Sequence, residues 1–396
     1  MTSDKKTDPI LQIHFDSLAD LIADIGITSE AKRAEAELDA LMIWSSEASD
    51  LAITELSESE APERLTAATL TVLSLRAEEA YPAIVRHFCS DNPEFQNAIR
   101  IGLRLSNPEG IYRALLDAAK SAPDLTNITL VDVATFHRRK PHADPRRLMN
   151  VEDPNFRAIL LEAIGRLGEP SLALHFETDS DPVVRRVFWR ALAMSGDLAV
   201  ANRCRKQCVQ DPPCHDAIRF LGVVGSVEDL PLLKKLAQSE QTAQPAVQAL
   251  GILGASESIP ELINMLFHTR TAHVAANSLE RITGRGVART DPPAPPEHLT
   301  EEELDFWSNP GDPIPEVAHE WWRQNHYYFE RSKRYQAGKC VSGNPLGDGF
   351  DELPDRIQKD VYLRERALNP QMTPDWEPDT WPCYQHNPSW ASRSKA

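Results

Sequence analysis

Residues 163–168 (AIGRLG) decide the fold, because an apolar helical run there ends on a glycine and the pattern recurs four more times. The five copies end at Gly168, Gly196, Gly225, Gly254 and Gly284, which are 28, 29, 29 and 30 residues apart. A glycine just past a helix adopts a left-handed backbone conformation at the least cost. Each glycine therefore predicts a helix end, and the period is typical of helical repeat proteins.

A second amphipathic run follows each turn, as in residues 230–236 and 259–266, so two helices are predicted for each repeat. Asp153-Pro154 and Asp181-Pro182 predict repeat starts, with a capping aspartate followed by proline at the first helical position; Asn92-Pro93 is a weaker copy. Small residues recur on the first helix of each pair and predict close helix packing: Ala163, Gly165, Ala191, Ala193, Gly222, Ala249 and Gly251.

Degenerate copies extend the register towards the N-terminus. Residues 71–76 and 101–106 end 30 residues apart, a further copy is expected to end near His137, and residues 40–45 fall about one period earlier. The predicted fold is all-α, a right-handed α-solenoid of about seven to nine helical pairs. Acidic N-terminal helices are expected in 1–64, the solenoid in 65–284, and an irregular cap rich in Pro and Trp in 285–396.

The five clear copies resemble HEAT repeats of the short bacterial kind, often called phycobilisome-lyase-like HEAT repeats. The whole chain resembles more closely an uncharacterised bacterial family of HEAT-repeat proteins, whose genes often lie in type VI secretion clusters. The segments that carry this resemblance are residues 10–41, Trp321-Trp322 and Arg334-Tyr335-x-x-Gly338. The Pro- and Trp-rich end from Pro370 departs from that family.

Charge limits the classes of partner. The chain has 42 Lys and Arg against 59 Asp and Glu, a net charge of -17, and residues 1–65 alone hold 15 acidic and 5 basic side chains. Such a surface repels phosphate backbones and anionic lipid, so neither nucleic acid nor membrane is expected as a partner. The chain shows no signal peptide and no apolar run of membrane-spanning length. With six scattered cysteines, it is expected to be cytoplasmic.

The C-terminal region has a different composition, because residues 285–396 contain 14 of the 30 prolines and 6 of the 8 tryptophans. Residues 292–296 (PPAPP) predict an extended connector, 316–335 an aromatic helix, and 369–396 an extended tail. The helix either covers the open end of the solenoid or anchors a partner, since Trp, Tyr and Arg are enriched in binding hot spots. The candidate partner-binding residues are Trp321, Trp322, Tyr327, Tyr328, Arg334, Tyr335, Trp376, Trp381 and Trp390.

Metal and catalytic signals are weak. Cys204, Cys208, Cys214 and His215 are soft ligands within twelve residues, but their spacing is not that of paired zinc knuckles, so buried thiols are the favoured interpretation. No nucleotide-binding, zinc-protease or hydrolase motif is present. The sequence therefore predicts no catalytic residue, no cofactor and no bound metal.

Three functional classes remain open. The favoured class is a non-catalytic protein-binding scaffold, which by resemblance would be an adaptor or chaperone for a secreted effector or spike component of a type VI system. The alternative is an immunity protein that blocks a toxin, for which acidity helps if the toxin is basic. An enzyme of the HEAT-like lyase or DNA glycosylase type is less favoured, because a shared repeat does not imply a shared reaction.

Overall fold

Helices make up nearly all the regular structure of the chain. The computed structural model describes residues 8–23, 28–210, 213–294, 310–343, 345–346, 350–369 and 371. Within these ranges the strands are limited to a short antiparallel ribbon of β1 (Tyr335–Gln336) and β2 (Lys339–Cys340), which confirms the all-α class. No helix in the described ranges is long and apolar enough to cross a membrane.

Two compact units divide the described residues, one ending at Ser195 and the other beginning at Gly196. This boundary falls inside the region 65–284 predicted as repeats. The helices of the first unit are α1 (Pro9–Ala23), α2 (Thr28–Ile43), α3 (Ser45–Glu58), α4 (Pro62–Leu75), α5 (Tyr81–Phe88), α6 (Pro93–Leu105), α7 (Tyr112–Ala119), α8 (Asp124–Phe136), α9 (Pro154–Leu167), α10 (Pro170–Ala173) and α11 (Pro182–Met194). Those of the second are α12 (Val200–Cys208), α13 (His215–Val224), α14 (Leu230–Ala237), α15 (Ala243–Leu253), α16 (Ile259–Met265), α17 (Ala272–Thr283), α18 (Pro315–Asn325) and α19 (Asp355–Leu368).

The predicted helix starts are confirmed. The side chain of Asp153 accepts hydrogen bonds from the second and third backbone N–H groups of α9, and Asn92 does the same for α6. Asp181 accepts from Val183 N at 2.8 Å at the start of α11. A proline occupies the first helical position in all three, where its missing N–H leaves no intrahelical bond unmade.

Four of the five predicted glycine ends are confirmed as left-handed, with φ of 73° at Gly168, 76° at Gly196, 70° at Gly254 and 67° at Gly284. The helix end is also confirmed at Gly225, since α13 ends at Val224, but the left-handed conformation expected there is wrong, because its φ of -71° and ψ of 176° are extended. A glycine is required there for space instead, because a Cβ atom would lie 2.3 Å from the Leu221 carbonyl oxygen.

The repeat helices pack in sequence within each unit. In the first unit α4, α6, α8, α9 and α11 each pack on the next, and in the second unit α13 packs on α15 and α15 on α17. The shorter helices α5, α7, α14 and α16 pack against the longer helix that follows each of them. The predicted close approach is confirmed at Gly222, where an added Cβ would lie 2.6 Å from the carbonyl oxygen of Ala249.

The C-terminal part of the second unit covers the last repeat helices. Helix α18 packs against α16, and β1 packs against α17. The predicted helix over 316–335 is too long, since α18 ends at Asn325 and a single 3-10 turn follows at His326–Tyr328. The chain leaves the helix because the later part of this stretch pairs with the repeat turns; for example, Lys333 O accepts Ser256 N at 3.1 Å.

Candidate functional site

The aromatic side chains of α18 and of the turn after it form one patch, named here the aromatic surface: Trp321, Trp322, Tyr327, Tyr328 and Phe329. The two indole rings are half-buried and lie 6.3 Å apart between centroids, and the Phe329 ring lies 5.6 Å from Trp322. Tyr327 and Tyr328 are 65% and 64% exposed, with ring centroids 4.2 Å apart. The patch therefore exposes the rings of Tyr327 and Tyr328 to solvent, whereas the rings of Trp321 and Trp322 are half-buried.

Short-range contacts hold this surface in place. Asn325 Nδ2 donates to the Trp321 carbonyl oxygen at 2.7 Å, which ties the Asn325 side chain to the last turn of α18. The Phe329 ring then packs edge-on against Tyr335 at 4.9 Å, and the Tyr335 hydroxyl accepts Glu330 N at 2.9 Å. Because Tyr335 is only 5% exposed, the surface rests on a buried support.

An apolar cavity of about 280 Å³ lies beside the aromatic surface. It separates α18 from the end of α17 and the chain that follows. Its lining consists of Ile263, Leu279, Thr283, Arg285, Gly286, Val287, Ala288, Val317, Ala318 and Trp321. Arg285 is the one ionisable group among these described residues, and its guanidinium carbon lies 5.8 Å from the Trp321 ring centroid. The cavity can accept a large apolar side chain, and its lining offers no acid and base pair for catalysis.

Two of the residues predicted to bind a partner face the repeat helices, with Tyr335 buried and Arg334 half-buried. Arg334 Nε donates to the Leu253 carbonyl oxygen at 2.6 Å, and Tyr335 N donates to the Gly254 carbonyl oxygen at 2.7 Å. Burial lowers the pKa of Arg334 to about 9. Both residues thus satisfy carbonyls at the end of α15, where intrahelical partners run out. The structure brings the remaining described candidates together; Trp376, Trp381 and Trp390 lie outside the described residues.

The cysteine cluster shows the features of buried thiols. Burial raises the pKa of Cys208 to about 12 and raises that of Cys204 as well, so both thiols stay protonated at neutral pH. A metal ligand must be the thiolate. Among the described residues, no three His, Cys, Asp or Glu side chains are grouped as a metal site.

A buried ionic cluster in the first unit was not predicted. Asp132 on α8 is fully buried, and its carboxylate binds Arg100 of α6 at 2.8 Å and Arg166 of α9 at 2.7 Å. Arg104 lies 3.8 Å from Asp132 and 3.7 Å from Glu162. Burial raises the pKa of Asp132, but the three arginines outweigh it, and its pKa falls to about 2. The sequence did contain an indication of this cluster, because its charged residues lie on the first helices of consecutive repeats.

This cluster is a link between repeats and shows no catalytic arrangement. Each arginine is paired with Asp132 or Glu162, so two carboxylates face three guanidinium groups, and the Phe136 ring lies 4.4 Å from the Arg104 guanidinium carbon and 5.3 Å from that of Arg166. The aromatic surface and its cavity are therefore the candidate site. Comparison with protein-family models and with curated protein sequences finds no match to this chain.

Proposed function

We propose that the protein is a non-catalytic scaffold that binds another protein through the aromatic surface. The observation that carries this proposal is the apolar cavity of about 280 Å³ beside rings that are about two-thirds exposed. The surface combines half-buried Trp and exposed Tyr with an arginine, and these three residue types are the ones enriched in binding hot spots at protein interfaces. A partner side chain that enters the cavity would be desolvated by its largely apolar lining, to which Trp321 contributes an aromatic ring.

The repeat helices support a solenoid as the frame of this scaffold. In both units each first helix packs against the next, which is the packing that a right-handed α-solenoid of seven to nine pairs requires. Within the second unit, α16 and α17 would carry the aromatic surface, since α18 packs against α16 and β1 against α17. The sequence resemblance makes a secreted effector or a spike component of a type VI system the first partner to test, bound in the cytoplasm by an adaptor or chaperone.

A comparative pull-down tests the proposal. The full chain and a Tyr327→Ala, Val317→Asp double variant are used as bait in lysate of the native host, and co-purified chains are identified by mass spectrometry. Val317 is 48% exposed and lines the cavity, so the aspartate charges the cavity without filling the helical core. Loss of hot-spot contacts should reduce recovery of the true partner about 30-fold or more.

The matched control is Leu198→Ala, which removes a 70% exposed apolar side chain elsewhere in the second unit and should leave recovery unchanged. The proposal fails if the double variant recovers the same chains at the same level as the unaltered protein. The identity of the recovered chain separates the two binding roles. A toxin whose activity is abolished in the complex would indicate immunity, whereas an active effector or a spike component would indicate an adaptor.

A further inference from the structure

A cavity of about 340 Å³ lies in the second unit, between the first turn of α19 and helices α13, α15 and α17. It shares no described lining residue with the apolar cavity beside the aromatic surface. It is named here the arginine cavity. Most of its polar lining consists of guanidinium and carboxamide side chains, from Arg219, Arg281, Arg356, Gln244, Gln248 and Asn277.

The charge of this lining is opposite to that of the whole chain. The chain has 59 Asp and Glu against 42 Lys and Arg, yet the described lining holds three arginines and no carboxylate. Asp360 binds Arg281 at 2.6 Å, and Asp216 lies 3.8 Å from Arg219. Arg356 is exposed, and no hydrogen bond or ion pair joins it to another described side chain. The cavity therefore offers an open guanidinium group to an anionic ligand.

Arg356 and Arg281 are close enough for their charges to interact. Burial lowers the pKa of Arg281, Asp360 opposes this effect, and the charge of Arg356 lowers the pKa further. A carboxylate bound at Arg356 would offset the repulsion between the two guanidinium groups. It would also accept charge-assisted hydrogen bonds from Arg356.

Three of the lining residues form a ladder across successive repeats. Arg219, Gln248 and Asn277 are 29 residues apart and lie on α13, α15 and α17, of which each packs on the next. Packed helix axes are about 8–10 Å apart and an extended chain rises about 3.3 Å per residue, so one ladder step matches about three peptide residues. Asn277 Oδ1 accepts from Arg289 at 3.2 Å, which leaves its amide to donate, whereas Gln248 can both donate and accept. This spacing favours a peptide backbone as the ligand.

The space continues along the starts of the same helices. Arg219 and Gln244 also line an adjoining cavity of about 720 Å³, in which Arg270 and Glu240 pair with each other. A small anion would leave most of this space empty, whereas an extended peptide can pass along it. The described linings of both cavities lack the Trp, Tyr and Phe rings on which nucleic-acid bases stack.

We propose that the arginine cavity binds an extended acidic segment of another protein, with a carboxylate on Arg356 and the peptide backbone on Gln248 and Asn277. Charge interactions extend only about 8 Å at physiological salt. The local arginines therefore act on a bound carboxylate more strongly than the net charge of -17 does. The cavity is separate from the aromatic surface, so this inference does not rest on the function proposed above.

Selection from a random peptide library tests the proposal. The immobilised full chain is exposed to peptides of about eight residues, long enough to span the three helices, and the retained pool is sequenced. Peptides with Glu should be retained about tenfold or more over those with Gln at the same position, because hydrogen bonds to a charged group are the stronger ones. Arg356→Glu should abolish this preference and favour Lys and Arg instead.

The matched control is Arg331→Glu, which replaces an exposed arginine of the same unit that lines neither cavity and should keep the preference for Glu. Arg219→Gln provides a second reading at another exposed arginine, and should weaken the preference severalfold even if Arg356→Glu impairs folding in urea unfolding. Equal preferences in the unaltered chain and in both cavity variants would overturn the proposal. Calorimetric titration with citrate and inorganic phosphate forms the last arm. Binding of either one without retention of acidic peptides would overturn the proposal and indicate a small-anion site.

Discussion

At the scale of single residues, the first unit keeps charged and uncharged polar groups side by side in its interior. Asp132 remains ionised because three arginines surround it. His137 lies at the end of the same helix and bonds the Leu103 carbonyl oxygen through Nε2 at 2.7 Å. Burial lowers the pKa of His137 from 6.5 to about 4, an effect that Arg139 and Arg104 reinforce. This ring is therefore neutral in the folded protein at pH 7 and donates to the carbonyl.

This pKa predicts an acid-sensitive contribution of His137 to stability. The unfolded chain binds a proton at this residue below pH 6.5, whereas the folded chain binds it only near pH 4, so the unfolding free energy falls as pH falls between these values. The pKa of His137 is lower in the folded than in the unfolded chain by about 2.5, and a pKa difference of one corresponds to 1.36 kcal/mol. The unfolding free energy should therefore fall by roughly 3 kcal/mol over this pH range. His137→Gln keeps a donor without titrating, and should flatten the pH dependence of urea unfolding by about this amount.

The control for this measurement is His319→Gln, which replaces an exposed histidine of α18. This substitution should not change how the unfolding free energy depends on pH. Equal slopes for the His137 variant and the unaltered protein between pH 6.5 and 4 would contradict the assigned role of the buried ring.

At the scale of elements, an aspartate and an arginine join neighbouring repeats at their starts. Arg157 of α9 binds the Asp179 carboxylate at 2.8 Å, and Asp179 in turn accepts Asp181 N at 2.9 Å just before α11. Arg157 lowers the pKa of Asp179 against the opposing effect of burial. The start of one repeat helix is thereby tied to the start of the next.

The cap of α11 can be tested by a pair of substitutions at Asp181. Asp181→Ala removes the acceptor of Val183 N and should lower the unfolding free energy by about 1 kcal/mol. Asp181→Asn keeps a side-chain acceptor, as Asn92 provides at the equivalent position of α6. It should change the unfolding free energy by only a few tenths of a kcal/mol. Urea unfolding of both variants provides the comparison, and an equal loss from both would show that charge, not capping, stabilises this start.

The elements that could be predicted from sequence are those fixed by neighbouring residues. Capping aspartates, first-turn prolines and terminal glycines fix the backbone of residues only a few positions away. These local signals were enough to predict the helices of the clear repeats. The ends predicted at residue 76 and near His137 are confirmed for α4 and α8, although the left-handed positions there are held by Arg76, at φ 56°, and Arg138, at φ 55°, where glycine would be usual.

The candidate site was predictable only in part, for the same reason. The aromatic residues were identified from composition, but the division between exposed Tyr327 and buried Tyr335 depends on pairing with turns about 80 residues away in sequence. The position of α19 on α13 depends on the contact between Arg364 and the Gly225 carbonyl oxygen, which lie 139 residues apart in sequence. No local pattern encodes partners at that distance, so both features needed the folded chain.

At the scale of the whole molecule, the net charge of -17 sets which macromolecules can approach. Arg100, Arg104 and Arg166 are each paired with Asp132 or Glu162 and are almost fully buried. They are therefore unsuited to contacting phosphates. Binding to a polyanion would have to overcome repulsion from the remaining surface.

This charge distribution predicts no useful affinity for DNA, which separates a scaffold from a DNA glycosylase. Fluorescence anisotropy with a labelled duplex should show no binding at about 150 mM salt up to micromolar protein, and a nonspecific partner would lose affinity further as salt rises. Tight, salt-resistant binding to the duplex would contradict the prediction that nucleic acid is not a partner.

The contact between Arg364 and the end of α13 also has a consequence for the order of events during synthesis. The carbonyl of Gly225 leaves the ribosome 139 residues before the arginine that binds it. At about 5–20 residues per second, this interval lasts roughly 7–28 s, which is long compared with the folding of a small helical unit. During that time water must solvate the end of α13, so this contact forms only after the repeat helices of the second unit have been synthesised.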